Sequence, residues 1–387
     1  MDYLRNGLGL SLFAVMVVSL TPAPDTAAPG SGAEPLDSLP TGTARGLASY
    51  MLGEGPHIQW QDDSSAVVIY LCGDQVVKEV LRAADTLQFH GLCEDSVTEY
   101  LIPLEEPQVE PDVFNSVSKI LAVSDIHGEY EVLLDLLTDT EVIDDDLHWI
   151  WGDGHLVFLG DVFDRGDMVT ETLWLIYRLE QEAKAAGGRV HYVLGNHEHL
   201  VMLGEERYVN KKYLRGIAKK TGMKYKDLYG PATEMGRWLR SKNVVIRLND
   251  ILFVHGGLPP EVVAYGLTLN DMNEAARSSL DLSLRQQGDV ARFVFDVTGP
   301  LWYRGYHGRT RDYSRASVTD VDRVLEYYGA EAIVTGHSET SQVESLYGGR
   351  IFGIDVPVEQ LGFIQGLLWQ ADRYYRVTRG GRLEQIG

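Results

Sequence analysis

Cysteine is almost missing from this chain, with only Cys72 and Cys93 among 387 residues. Two thiols cannot build a disulfide scaffold or a four-thiolate zinc site. Basic charge is also short, with 34 Lys and Arg against 56 Asp and Glu and a formal net charge of −22. That balance argues against a general polyanion binder, so neither nucleic acid nor an anionic membrane surface is an expected partner. Past residue 40 there is no apolar run of membrane-spanning length. What is present is material for a sizeable core: 44% of residues are hydrophobic and 10% aromatic, which excludes a disordered chain.

Residues 1–40 read as a targeting segment rather than as part of a fold. Arg5 gives a weakly positive start, residues 7–20 form an apolar run of signal length, and residues 21–40 are rich in Pro, Ala, Gly, Thr and Ser. Export to the periplasm or the exterior is expected, with the segment serving as a cleaved signal peptide or as an uncleaved N-terminal membrane anchor. Cys72 and Cys93 suit an oxidising compartment. They are either a disulfide or two buried free thiols, because a sequence does not give their separation in space.

Residues 45–110 read as a small β-rich unit, with a β-branched and aromatic run at 67–71. The acidic, proline-containing stretch 104–111 reads as a connector. A catalytic domain is expected over 115–387. Its apolar runs predict strands at 120–123, 156–159, 190–194, 244–248, 251–254, 332–334, 351–354 and 363–369, and helical spacing appears at 130–137 and 168–186. Strands alternating with helices indicate a layered α/β core, and the later strands indicate a second sheet.

Polar residues follow these strands, at the carboxyl ends where open α/β sheets place ligands. Asp125 and His127 come first, in Ser124-Asp125-Ile126-His127-Gly128. Gly160-Asp161-Val162-Phe163-Asp164-Arg165-Gly166 supplies two carboxylates and a fork-shaped guanidinium suited to phosphate. Gly195-Asn196-His197-Glu198, His255-Gly256-Gly257 and Gly336-His337 follow the next strands. Any one of these alone fits an ordinary turn, helix cap or buried histidine. Together they offer imidazole and oxygen ligands for two divalent cations, without thiolate, and so favour Mn, Fe or Zn over a soft-metal centre.

These residues resemble the calcineurin-like metallophosphoesterase superfamily and, within it, the phosphoprotein phosphatase (PPP) family. The export segment, the β-rich unit and the sequence near Trp302 are similar to the bacterial Shewanella-like phosphatases. The resemblance covers roughly residues 119–356. It implies an αββα sandwich of two mixed sheets flanked by helices, and an enzyme that hydrolyses phosphate monoesters by direct attack of a hydroxide held between two metals, Mn foremost. It implies that Asp125 and His127 bind the first metal, that Asp161 bridges, and that Asn196, His255 and His337 bind the second. His197 corresponds to the general acid, Asp164 to the carboxylate that orients it, and Arg165 and Arg304 to phosphate-binding arginines. The implied substrates are phosphorylated proteins or peptides, with phosphotyrosine among them, or small phosphoesters. Ser124 replaces a family glycine, and Leu194 stands where many eukaryotic members carry arginine.

Residues 205–242 carry eleven basic and four acidic side chains, together with Tyr208, Tyr213, Tyr225 and Tyr229. They read as a helical cap insertion that attracts anions and presents aromatic surface beside the site. Two other functions fit the same residues: a dinucleoside polyphosphate hydrolase or non-protein phosphomonoesterase on this scaffold, and a metal-binding pseudoenzyme. The intact acid, arginine and ligand set argues against the last.

Overall fold

The computed structural model describes residues 53–93, 98–308 and 314–387, so the expected targeting segment lies outside the described residues. The chain opens with an antiparallel sheet of β1 (Glu54–Trp60), β2 (Ser65–Cys72) and β3 (Gln75–Arg82). A hairpin of β4 (Thr86–His90) and β5 (Glu99–Pro103) follows. Cys72 and Cys93 form a disulfide, which settles the alternative that the sequence left open.

Two six-stranded mixed sheets make the body. The first contains β7 (Lys119–Val123), β8 (His155–Phe158), β9 (Arg189–Tyr192), β15 (Gly366–Gln370), β16 (Arg373–Thr378) and β17 (Arg382–Gln385), in the order β17-β16-β15-β7-β8-β9. The second contains β6 (Val113–Phe114), β10 (Val245–Leu248), β11 (Ile251–Val254), β12 (Ala332–Thr335), β13 (Glu344–Leu346) and β14 (Ile351–Gly353), in the order β13-β14-β12-β11-β10-β6. β7, β8 and β9 run parallel in register, as do β11, β12 and β14. Every residue of β8, β11 and β12 is buried. Strands covered on both faces need apolar side chains on both, which is why they appear as unbroken hydrophobic runs.

Helices α1 (Tyr130–Asp139) and α2 (Val169–Ala185) follow the first two parallel strands, each with a buried apolar stripe. α3 (Asn196–Leu203) follows β9 and ends on Gly204 in the left-handed conformation. The strand expected at 190–194 stops at Tyr192, because the Leu194 N–H leaves the ladder for the Asn243 carbonyl, 2.9 Å away. Helices α5 (Leu269–Ser279) and α6 (Val318–Tyr328) each begin at a reciprocal capping box, Thr268 with Asp271 and Ser317 with Asp320.

The first sheet is bonded directly to the body. Thr170 of α2 donates to Glu54 (2.6 Å), the Trp174 indole donates to the Pro56 carbonyl (2.9 Å), and the Trp60 indole donates to Glu234 (2.7 Å). Glu234 opens α4 (Glu234–Arg240), the last helix of the 205–242 insertion. The rest of that insertion consists of α-helical turns at Lys211–Tyr213 and Lys219–Thr221 around a π-helical turn at Leu214–Ala218, then a 3-10 turn at Tyr225–Tyr229.

One expectation for the insertion needs correcting. Tyr213, Tyr225 and Tyr229 are core residues packed ring against ring, so of the four tyrosines only Tyr208 is exposed. Four of the insertion's eleven basic residues form ion pairs with acids elsewhere in the fold. Lys212 pairs with Glu54, Lys220 with Asp74, Arg240 with Asp281 and Lys242 with Glu180. These pairs hold the insertion to the rest of the fold.

Candidate active site

Five strand ends, from β7, β8, β9, β11 and β12, converge through their own side chains and backbone. The His127 N–H donates to the Asp161 carbonyl (2.9 Å), joining the loops after β7 and β8. The His197 N–H donates to Asp161 Oδ1 (2.9 Å), which brings in β9. His255 Nδ1 meets the Leu159 carbonyl at 2.7 Å, and the His337 N–H donates to Asp125 Oδ2 at 3.0 Å. These last two bonds tie the second sheet to the first.

The backbone here is unusual. Asp125, His127, Asp161, Asp164, Arg165 and His337 all have positive φ, between 49° and 73°. Such values are uncommon for residues with a Cβ, and they persist only where surrounding structure imposes them. Glycine supplies the clearance. A Cβ on Gly160 would stand 2.5 Å from the Gly195 nitrogen, and one on Gly336 would stand 1.9 Å from Ser124 Oγ and 2.5 Å from Asp125 Oδ2.

Asp161 sits at the centre. Its Oδ2 lies 3.2 Å from His255 Nε2, 3.8 Å from His197 Nε2 and 4.0 Å from His127 Nε2. Ligand atoms of His127, Asp161 and His197 fall within 4.8 Å of one another, as do those of Asp161, His255 and His337. Asn196 Oδ1 is 2.9 Å from His255 Nε2. Asp125 holds the His337 amide and the Ser124 hydroxyl.

The donor chemistry fits divalent cations. His127 Nδ1 lies 2.7 Å from the Phe163 carbonyl, matching the His255 contact with Leu159. An imidazole that gives its Nδ1–H to a carbonyl presents an Nε2 lone pair, the arrangement found behind metal-binding histidines. The Nε2 atoms of His127 and His337 are buried and make no hydrogen bond. Burial would lower the His255 pKa, yet Asp161 and Asp125 raise it to about 10. Buried carboxylates that do this call for positive charge between them.

His197 is held differently, with its Nδ1 2.6 Å from Asp164 Oδ2. Burial disfavours its charged form, but the Asp161 and Asp164 carboxylates outweigh burial and raise its pKa. The two arginines lie at the rim. Arg304 Nη1 donates to the His337 carbonyl. The Arg165 side chain is 47% exposed, with Nη1 3.8 Å from Glu359. All ten residues singled out from the sequence therefore lie in the converging loops or on their rim.

Two residues had no assigned role in the sequence, and a third had only a general one as part of the aromatic surface of the insertion. Glu198 is fully buried and accepts hydrogen bonds from the Asp161, Val162 and Gly195 amides and the Tyr192 hydroxyl, so it fixes two site loops together. Asp355 follows β14, and burial, then Asp125, push its pKa well above the carboxylate range. Its signal was present in the sequence, because it too follows a buried strand. Tyr208 lies with its ring 5.1 Å from the His197 ring, and only its aromatic type marked it.

Residues 118–339 match the family model described as calcineurin-like phosphoesterase. In fold and sequence the chain is similar to the cold-active protein-tyrosine phosphatase of a psychrophile, Shewanella sp. The crystal structure of that protein aligns at 34% identity with a TM-score of 0.80, covering 87% of this chain and 99% of that one. The chain is 29% identical over 241 residues to Shewanella-like protein phosphatase 1 of Plasmodium berghei (strain Anka), covering 61% of this chain and 66% of that protein. It thus spans just under two thirds of that relative's length. It is also 30% identical over 193 residues to the symmetrical bis(5'-nucleosyl)-tetraphosphatase of Methylococcus capsulatus, covering 47% of this chain and 57% of that protein.

Proposed function

Because the chain belongs to the calcineurin-like phosphoesterase family, we propose that it is an exported phosphatase with two divalent cations, acting on phosphorylated proteins, phosphotyrosine included. The observation that carries this is the position of Asp161, with one carboxylate oxygen facing His127, His197 and His255 from three different loops. The similarity to a Shewanella protein-tyrosine phosphatase over 87% of the chain supports the substrate class.

Asp125, His127 and Asp161 would hold one cation, and Asp161, Asn196, His255 and His337 the other. Imidazole and oxygen donors suit Mn, Fe or Zn, and the resemblance to phosphoprotein phosphatases puts Mn first. When bound, the cations supply Lewis acidity at the phosphoryl group and lower the pKa of the attacking water. The protein's own residues do the rest. Arg165 and Arg304 bind phosphoryl oxygens as charge redistributes in the transition state. His197 delivers the proton from Nε2 to the leaving oxygen, and Asp164 accepts the Nδ1–H and so fixes the ring and its tautomer.

Export rests on the apolar run at 7–20 and its linker. The Cys72–Cys93 disulfide is in keeping with an oxidising compartment. Cell fractionation tests it: protein found in the cytoplasm with residues 1–40 intact would contradict export.

The similarity to a tetraphosphatase favours a second substrate class, a dinucleoside polyphosphate. One comparison separates the two: hydrolysis of a phosphotyrosine peptide, a phosphoserine peptide and a dinucleoside tetraphosphate with Mn. Dominant turnover of the phosphopeptides, abolished by chelator, supports the proposal. Dominant turnover of the dinucleotide replaces it.

A further inference from the structure

The geometry assigns a specificity role to Tyr208, which we propose forms the wall against which the aryl group of phosphotyrosine lies; this rests on the phosphatase function proposed above. If His197 protonates the leaving oxygen, the leaving group must lie beside His197. Tyr208 is an exposed ring that stands beside His197. Its ring is 5.1 Å from the His197 ring, inclined by 59°, and it is 42% exposed, whereas His197 is buried. Among the described residues, the other ring packed against His197 is that of His127, which is buried.

Tyr208 is also fixed to the phosphate-binding loop. The Arg165 N–H donates to the Tyr208 carbonyl at 2.9 Å, and Asn210 Nδ2 donates to the Arg165 carbonyl at 2.8 Å. Arg165 is thus bracketed on both sides of its backbone by residues 208 and 210. Lys212 Nζ donates to the Asp167 carbonyl at 2.5 Å and extends the attachment. One loop then positions the guanidinium for the phosphoryl group, and the segment clamped to it positions an aromatic face for whatever that group is attached to.

The reaction served is a simple displacement. The bond from phosphorus to the aryl oxygen breaks and a bond from phosphorus to water oxygen forms. The aryl oxygen leaves as a phenol with the His197 proton, and water returns a proton to the imidazole. An aryl leaving group contributes a ring that Tyr208 can pack against, and a serine alkoxide contributes none. Aromatic packing of this kind is worth roughly 0.5–1.5 kcal/mol beyond area burial, which at 1.36 kcal/mol per tenfold corresponds to about 2–13-fold.

The test uses the full chain and its Tyr208→Ala and Tyr208→Phe variants. Relative to wild type, Tyr208→Ala should lose up to about 13-fold in kcat/KM on a phosphotyrosine peptide and less than about twofold on a phosphoserine peptide. Tyr208→Phe should restore the wild-type ratio. Binding of phenylphosphonate and ethylphosphonate by calorimetry repeats the comparison without turnover, and Tyr208→Ala should weaken the phenyl compound alone. Equal losses on both peptides, or an unchanged phenyl-to-ethyl affinity ratio, would overturn the assignment. Absence of hydrolysis by the wild type would remove the phosphatase function and leave the phosphonate ratio to decide the role of Tyr208.

Discussion

His197 Nδ1 stands 2.6 Å from Asp164 Oδ2, and Asp164 is nearly fully buried with positive φ. A short contact of this kind sets both the orientation and the tautomer of the imidazole. His197→Asn should lower kcat by about 10²–10⁴-fold on an alkyl phosphate, the range of general-acid catalysis. The loss should shrink on p-nitrophenyl phosphate, whose leaving group scarcely needs a proton. Asp164→Asn should follow the same pattern, less severely. The check is kcat on both substrates, and an equal loss on the two would remove His197 from the acid's role.

In the proposed mechanism Glu359 competes with the phosphoryl group for Arg165. The Arg165 guanidinium lies 3.8 Å from Glu359, with both side chains more than two-fifths exposed. Exposed pairs are worth about 0.2–1 kcal/mol, so a phosphoryl group displaces Glu359 at small cost. Glu359→Gln should lower the inhibition constant of inorganic phosphate by up to about fivefold and leave kcat within twofold. An unchanged constant would mean that Arg165 does not meet phosphate.

Gly336 gives a steric test. A Cβ there would collide with Ser124 Oγ and Asp125 Oδ2, while one on Gly288 meets nothing within 4 Å. Gly336→Ala should displace Asp125 and reduce activity at least tenfold, with Gly288→Ala as the neutral control. Both are read from kcat/KM alongside thermal melting. Full activity in Gly336→Ala would show that the position of Asp125 tolerates a shift.

Much of the fold and site was legible in the sequence because the central strands are buried on both faces. An unbroken apolar run at 120–123 or 251–254 fits little besides a buried strand, and the polar residues after it are then confined to a strand end. Other features were harder to see. Asp355 follows a strand just as Asp161 does, but Ile354, Val356 and Pro357 around it supply none of the His, Asn or Arg neighbours that mark the others. Tyr213, Ile217 and Tyr225 bury one side of the insertion, and the abundance of basic residues obscured that apolar stripe. The ion pairs of Lys212 and Lys242 join residues from distant parts of the chain, and no local pattern encodes such partners. α5 and α6 are signalled in the sequence by their caps, Thr268 with Asp271 and Ser317 with Asp320.

Acid should destabilise the fold before it reaches the carboxylates. Burial, then the neighbouring His191, holds the His155 pKa at about 4, and His155 Nδ1 lies 2.9 Å from His191 Nε2. Unfolded histidine titrates near 6.5. Between these values the unfolded chain binds the extra proton, so this contribution is complete above pH 6.5 and is lost as pH falls toward 4. At 1.36 kcal/mol per pH unit, His155 accounts for at most about 3 kcal/mol. Urea unfolding at pH 7 and pH 5 should show the loss, and His155→Gln should flatten it. An identical slope in the variant would place the sensitivity elsewhere, for example at His199 or His307, which burial also lowers to about 4.

Asp161 is shared by the two candidate ligand clusters, one with His127 and His197 and one with His255 and His337, and it offers the most direct measurement. Asn accepts the left-handed backbone that Asp161 adopts, so Asp161→Asn removes the charge with little strain. Elemental analysis after equilibrium dialysis against Mn, paired with phosphotyrosine-peptide turnover, should give two ions per wild-type chain with hydrolysis. Asp161→Asn should lose at least one ion and nearly all turnover while melting normally. Two ions and full turnover in the variant, or neither in the wild type, would contradict a phosphatase built around Asp161.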